Sequence, residues 1–129
     1  MTDQDREILA LNQRMLESVV AGDWEAYSGT CDPSLSCFEG ETNGVLAEGL
    51  DFHRYYFSLG NADSSHPSPV NVTMARPHLR WLNDDCVVLS YTRLTQRVLG
   101  GEAITASCCE TRIWQRQAGQ WRQVHVHRS

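Results

Sequence analysis

The chain has 129 residues, with 11 basic against 16 acidic side chains for a formal net charge of −5, and 41% hydrophobic content. These figures fit one globular domain with a single core, and they exclude a nucleic-acid-binding surface driven by overall positive charge. No apolar run approaches the roughly 20 residues of a membrane span, and the acidic start Met1-Thr2-Asp3-Gln4-Asp5 is not a secretory signal. All the basic residues are arginine, which carries no functional weight by itself. The cysteines (Cys31, Cys37, Cys86, Cys108, Cys109) are odd in number and lack CxxC spacing, so reduced thiols in a cytoplasmic protein are expected.

Asp3 to Ala21 is predicted as an amphipathic helix, because Ile8, Leu11, Met15, Leu16, Val19 and Val20 recur at helical spacing and Gly22 supplies the stop. Asp23 caps a second, short helix through Trp24 and Tyr27 that ends before Asp32-Pro33. Leu35 to Glu39 reads as a short strand, Gly40 to Gly44 as a turn, and Val45 to Glu48 as the return strand. Leu50 to Phe57 sets His53 and Arg54 among aromatic and aliphatic residues and is predicted as a third helix. The run Gly60 to Pro69 is rich in Gly, Asn, Asp, Ser and Pro and reads as a loop.

Four strands then follow: Val70 to Leu82, Cys86 to Val98, Ala103 to Arg116 and Gln120 to Arg128. The breaks at Asn83-Asp84-Asp85, Gly100-Gly101 and Ala118-Gly119 are of hairpin length, and Pro77 predicts a bulge or an edge in the first strand. Helices followed by an antiparallel meander is an α+β order. A strongly curved sheet around the long N-terminal helix would make a cone with an open mouth.

Strand alternation puts an arginine on the apolar face of three different strands. Arg93 shares its face with Val87, Leu89 and Tyr91, Arg112 with Cys108 and Trp114, and Arg128 with Val124 and Val126. A guanidinium stays charged and is costly to desolvate without a partner. Three of them predict an electropositive concavity that holds internal carboxylates, a bound anion, or both.

The stretches GDWEAYSGTCDPSLSCFE, EGLDFHRYYF, RPHL, YTRLTQ, ETRIWQR and GQWRQVHVHRS follow one another in that order from about Arg6 onward. In them the chain resembles the association, or hub, domain of calcium/calmodulin-dependent protein kinase II, within the nuclear transport factor 2-like superfamily. The resemblance implies a cystatin-like, nuclear transport factor 2-like fold. That is an α+β cone in which a curved antiparallel sheet wraps a long N-terminal helix, as one hub domain over residues 1–129. It also implies a non-catalytic function, in which domains pair into dimers and the dimers close into a two-layer ring of about 12 to 14 subunits or more. In the full kinase such a hub holds catalytic domains together. The chain carries no kinase signature and no calmodulin-binding basic helix, so it is either an excised hub or a free-standing homologue; Met1 and the altered N-terminus favour the second.

The resemblance further implies a pocket. Arg93, Arg112 and Arg128 match the family's cavity arginines, His53 of HRYYF flanks them, and the expected ligand is a small carboxylate or an acidic side chain from another protein segment. The hairpin Leu99-Gly100-Gly101-Glu102 is one residue shorter than usual, and Gly40 stands where a proline is usual. Cys108-Cys109 replaces a polar-acidic pair before ETR, which would remove a carboxylate and leave the pocket more positive.

Plainer readings stand beside these. The arginines could pair with Glu39, Glu48 or Glu110 to fix strand register. His53 could act as a base, but a histidine beside aromatic residues is more simply a hydrogen-bonded core residue. His125 and His127 are read as sharing a strand face with Trp121. No third ligand stands at useful spacing, so a subunit contact suits them better than a metal. No metal or cofactor is read from the sequence. Trp81 and Trp121 are read on strand faces that the cone does not need, and are expected at contacts between subunits. Cys108 and Cys109 point to opposite faces and stay separate thiols. Asn71-Val72-Thr73 matches a glycosylation sequon, without meaning in a cytoplasmic chain. The competing class is a small-molecule enzyme of isomerase, dehydratase or cyclase type using the same cone. Such an enzyme needs an aimed acid/base pair, and an interior dominated by arginine favours assembly.

Overall fold

The computed structural model describes residues 1–60 and 70–129, so all but the first residue of the loop expected at Gly60 to Pro69 lies outside the described residues. Helix α1 (Asp3–Ala21) starts at a reciprocal capping box between Thr2 and Asp5 and stops at Gly22, whose φ of 68° is the left-handed conformation a glycine tolerates. Its inward stripe is Ile8, Asn12, Met15, Leu16 and Ser18. Helix α2 (Trp24–Gly29) is capped by Asp23, whose carboxylate accepts from the Ala26 amide at 3.1 Å. Strand β1 (Cys31–Phe38) starts four residues earlier than expected. The return strand β2 is confined to Ala47–Glu48, because Val45 is tied into the preceding turn by a 3.1 Å bond to the Thr42 carbonyl. Helix α3 (Asp51–Gly60) follows.

Strands β3 (Val70–Asn83), β4 (Cys86–Leu99), β5 (Glu102–Gln117) and β6 (Gln120–Arg128) lie within one residue of their expected ends. They complete a six-stranded sheet in the order β2-β1-β6-β5-β4-β3. Neighbours are antiparallel except β1 and β6, which run parallel. The core lies between the concave face and α1. Trp114 is fully buried there, and its indole N–H donates to Asn12 Oδ1 at 3.1 Å.

Register shifts also fall at Leu82 and between Cys31 and Ser36, but two bulges reset the inner faces of β3 and β6, each setting two residues of one strand against one of the next. The first, at Arg76-Pro77, is where proline predicts it, and Arg76 sits at φ 53°. The second, at Val124, has no such marker. Each bulge reverses the alternation beyond it, which corrects the reading of Trp81 and Trp121 as lying on strand faces that the cone does not need. Trp81 lies opposite the buried Val87 and donates to Asp5 Oδ1 of α1 at 2.8 Å. Trp121 meets it edge-on at 5.8 Å between ring centroids, with the Arg116 guanidinium 5.2 Å above its ring. Both tryptophans close the end of the concave face beside the start of α1.

The β5–β6 turn places Ala118 at φ 49° and Gly119 at φ 81°, whereas the β4–β5 turn uses two glycines for the same backbone. A left-handed alanine is strained by about 1–2 kcal/mol. Ala118→Gly is therefore expected to stabilise the protein by about 0.5–1 kcal/mol, after the entropy cost of the extra glycine. Urea unfolding at fixed protomer concentration measures it; an unchanged midpoint would mean that the turn relaxes without strain.

Candidate functional site

The inward rows of β4, β5 and β6 come into register around one carboxylate. Tyr91 lies opposite Glu110, and Glu110 opposite Arg128, while Arg93 faces Cys108 and Arg112 faces Leu89 and Val126. Glu110 is 2% exposed. Its Oε2 meets Arg93 Nη1 at 3.0 Å, and its Oε1 accepts from Arg112 Nε and Nη2, both at 3.2 Å, and from the Tyr91 hydroxyl. Arg112 also donates to the Tyr91 oxygen at 3.0 Å and to Gln123 Oε1 at 2.7 Å, and Gln123 passes the network on to Thr30 Oγ1 at 2.8 Å.

A second carboxylate sits just past the end of β1. Cys37 and Glu39 point the same way because they are two residues apart on extended backbone. Glu39 Oε1 accepts from the Cys37 thiol at 3.1 Å and lies 3.0 Å from His53 Nε2. Its Oε2 accepts from Arg128 Nη2 at 3.0 Å, and Arg128 also reaches Glu41 at 2.5 Å. Helix α3 presents His53, whose ring packs 5.9 Å from that of Tyr27, and Tyr27 stacks on Phe57 at 4.9 Å.

Between these clusters opens a cavity of about 250 Å³ whose walls include Arg93, Arg112, Arg128 and His53. All four residues singled out from the sequence therefore meet in one place. Of the two occupants considered for the pocket, internal carboxylates are present: the three arginines are matched by Glu39, Glu41 and Glu110. Glu48, the third partner considered from the sequence, is exposed on β2 and makes no ion pair among the described residues.

The buried charges support one another. Burial alone would raise the Glu110 carboxyl, but Arg112 and then Arg93 outweigh it and hold it below the usual range. Burial alone would lower Arg112, yet the charge of Glu110 raises it well above the ordinary value. Burial pushes the Tyr91 hydroxyl up to about 12. Arg112 spends its donors on Glu110, Tyr91 and Gln123. Arg93 differs: only Nη1 is in its ion pair, and its buried Nε has no partner among the described residues.

Gln123 is missing from the sequence reading because the bulge at Val124 replaces the expected Val124–Val126 pair on the inner face by Gln123 and Val126, both fully buried. The same bulge separates Trp121 from His125 and His127, which instead share the outer face with Phe38, their rings 6.5 and 5.6 Å from it. His125 Nδ1 bonds Ser36 Oγ at 2.7 Å. Cys108 points inward, 3.9 Å from Glu110 Oε2, while Cys109 is exposed.

A curved sheet folded over an N-terminal helix, with an inward polar cavity, defines a fold shared with nuclear transport factor 2-like structures. An NTF2-like protein of Pseudomonas putida, 16% identical over all of this chain and 87% of that one, superposes at a TM-score of 0.75, and a putative ketosteroid isomerase from Shewanella frigidimarina, 17% identical over 93% of this chain and 92% of that one, at 0.71. The nearer kinship is specific. The family description "calcium/calmodulin dependent protein kinase II association domain" matches residues 4–129. The hub homology domain of Chlamydomonas reinhardtii superposes at a TM-score of 0.91, with 46% identity over 98% of both chains. The delta subunit of the rabbit (Oryctolagus cuniculus) kinase is 42% identical over 125 residues, 96% of this chain. The chain belongs to the calcium/calmodulin-dependent protein kinase II association domain family. It spans 23% of the length of the rabbit subunit. An association domain of this family supports oligomerisation.

Proposed function

We propose that residues 1–129 act as one hub domain whose copies pair into dimers, and that the dimers close into a two-layer ring of about 12 to 14 subunits or more. Family membership is the observation that carries this reading. With Trp81 and Trp121 turned inward, the apolar surface that supports self-association is the far end of the β4–β5 hairpin, where Val98, Leu99 and Ile104 are exposed. Native mass spectrometry tests it. The expected species is a multiple of dimers, and Leu99→Asp combined with Ile104→Asp lowers the mass several-fold; wild-type protein that is only monomer at micromolar concentration overturns the proposal.

The cavity, on this reading, holds a small carboxylate or an acidic side chain from another segment. The supporting observation is the unspent donor capacity of Arg93 in a wall otherwise balanced in charge. A carboxylate accepts two parallel guanidinium bonds, which suits that vacancy. Arg128 occupies the carboxylate beside His53, which supports a binding cavity over the alternative of a proton-abstracting isomerase, dehydratase or cyclase. The net charge of −5 supports partners other than nucleic acid, and the five unpaired cysteines fit a cytoplasmic setting. No helix among the described residues is long and apolar enough to cross a membrane. Calorimetric titration with a panel of short carboxylic acids is the direct measurement.

A further inference from the structure

We propose that Cys37, Glu39 and His53 form a binding site for a borderline-soft divalent cation, zinc being the best match, in the wall of the cavity. Cys37 Sγ, Glu39 Oε1 and His53 Nε2 all lie within 4.8 Å of one another, with the carboxylate oxygen 3.1 Å from the sulfur and 3.0 Å from the nitrogen. Zinc bonds of about 2.3 Å to sulfur and about 2.0–2.2 Å to nitrogen or oxygen put neighbouring tetrahedral ligands roughly 3.3–3.6 Å apart. The three atoms reach that spacing by shifts of a few tenths of an ångström at Glu39 and a closure between sulfur and nitrogen, now within 4.8 Å, to about 3.5 Å. What joins them now is a pair of hydrogen bonds to one oxygen, the position a shared cation would take over.

The local structure explains the convergence. Cys37 and Glu39 are fixed side by side by strand geometry, and α3 delivers His53 from 14 residues further on. Arg128 holds Glu39 by its other oxygen at 3.0 Å, leaving Oε1 aimed at the thiol and the imidazole, the kind of outer-shell orientation that metal ligands receive. Glu39 and His53 both line the cavity, so a fourth coordination position opens into it. One sulfur, one imidazole nitrogen and one carboxylate oxygen favour zinc over magnesium or calcium, which prefer oxygen alone. On binding, the Cys37 proton leaves to solvent and the imidazole carries its proton on Nδ1. The thiolate and carboxylate then offset the two positive charges of the ion. The Cys-x-Glu spacing with a distant His matches no familiar ligand pattern, which is why the sequence alone points to no metal.

Titration of the assembled protein with Co²⁺, followed by Zn²⁺, tests the site. The expected result is one equivalent of Co²⁺ per protomer with a thiolate-to-cobalt charge-transfer band, abolished by zinc. Cys37→Ser should lose the band, and Glu39→Gln or His53→Gln should weaken binding by at least about 100-fold. No band in the wild type, or a band that survives Cys37→Ser, overturns the proposal. X-ray absorption on the zinc-loaded wild type decides the matter independently of any variant that fails to fold. One sulfur with nitrogen and oxygen neighbours supports the site, and a shell with no sulfur or only sulfur overturns it.

Discussion

Glu110→Gln should destabilise the folded protein by about 3–5 kcal/mol, the cost of leaving buried charge without its partner. Arg112 is 3% exposed, and the Arg93 side chain only 15%. Both guanidinium groups would face an amide carrying no charge, and the Tyr91 hydroxyl would lose its strongest acceptor. Urea unfolding at a fixed protomer concentration measures the loss, because stability and assembly are linked in an oligomer. A loss below about 1 kcal/mol would mean that the arginines find another counter-charge, and that the carboxylate is not what holds this end of the sheet together. The same residue gives the acid limb a direction. Its folded pKa lies below the ordinary value of 4.5, so its contribution is complete above that pH and is lost as pH falls through the folded value. The wild type should therefore lose this part of its stability below about pH 4.5, and Glu110→Gln should lack that component.

Arg93→Leu should abolish the thermal stabilisation that short carboxylic acids give, weakening their binding by about 10- to 100-fold, the worth of a charge-assisted hydrogen bond. Native mass should stay unchanged, since Arg93 lies inside one subunit. From the sequence, Arg112 is the arginine to replace in this experiment. The structure makes it unsuitable, because removing Arg112 would take the guanidinium from Glu110 Oε1 and the donor from the buried Gln123 Oε1, and confuse a loss of binding with a loss of folding. If Arg93→Leu binds the acids as the wild type does, or if no acid shifts the wild-type melting temperature, the arginine cavity is structural.

Features set by neighbouring residues along the chain were legible in the sequence. The α1 stripe from Ile8 to Leu16 and its stop at Gly22 follow from helical periodicity and one glycine. The ends of β3 to β6 follow from short turn signals, and the Arg76-Pro77 bulge from proline's missing donor. The convergence of Arg93, Arg112 and Arg128 was also legible, since each strand's alternation names its inner face and the hub resemblance places the three together. Relations between strands were decided only by the tertiary structure. The bulge at Val124 sends Gln123 inward and separates Trp121 from His125, although nothing in Gln123-Val124-His125 marks an extra residue. Trp81 turns toward Asp5 because an upstream bulge resets its face. Three strands in register choose Glu110 as the partner of two arginines, while the turn after β1 brings Glu39 and Glu41 to the third and leaves Glu48 in solvent. Side-chain alternation is a property of one strand, whereas pairing, charge balance and ligand geometry depend on register between strands, which emerges only when the sheet closes over its helix.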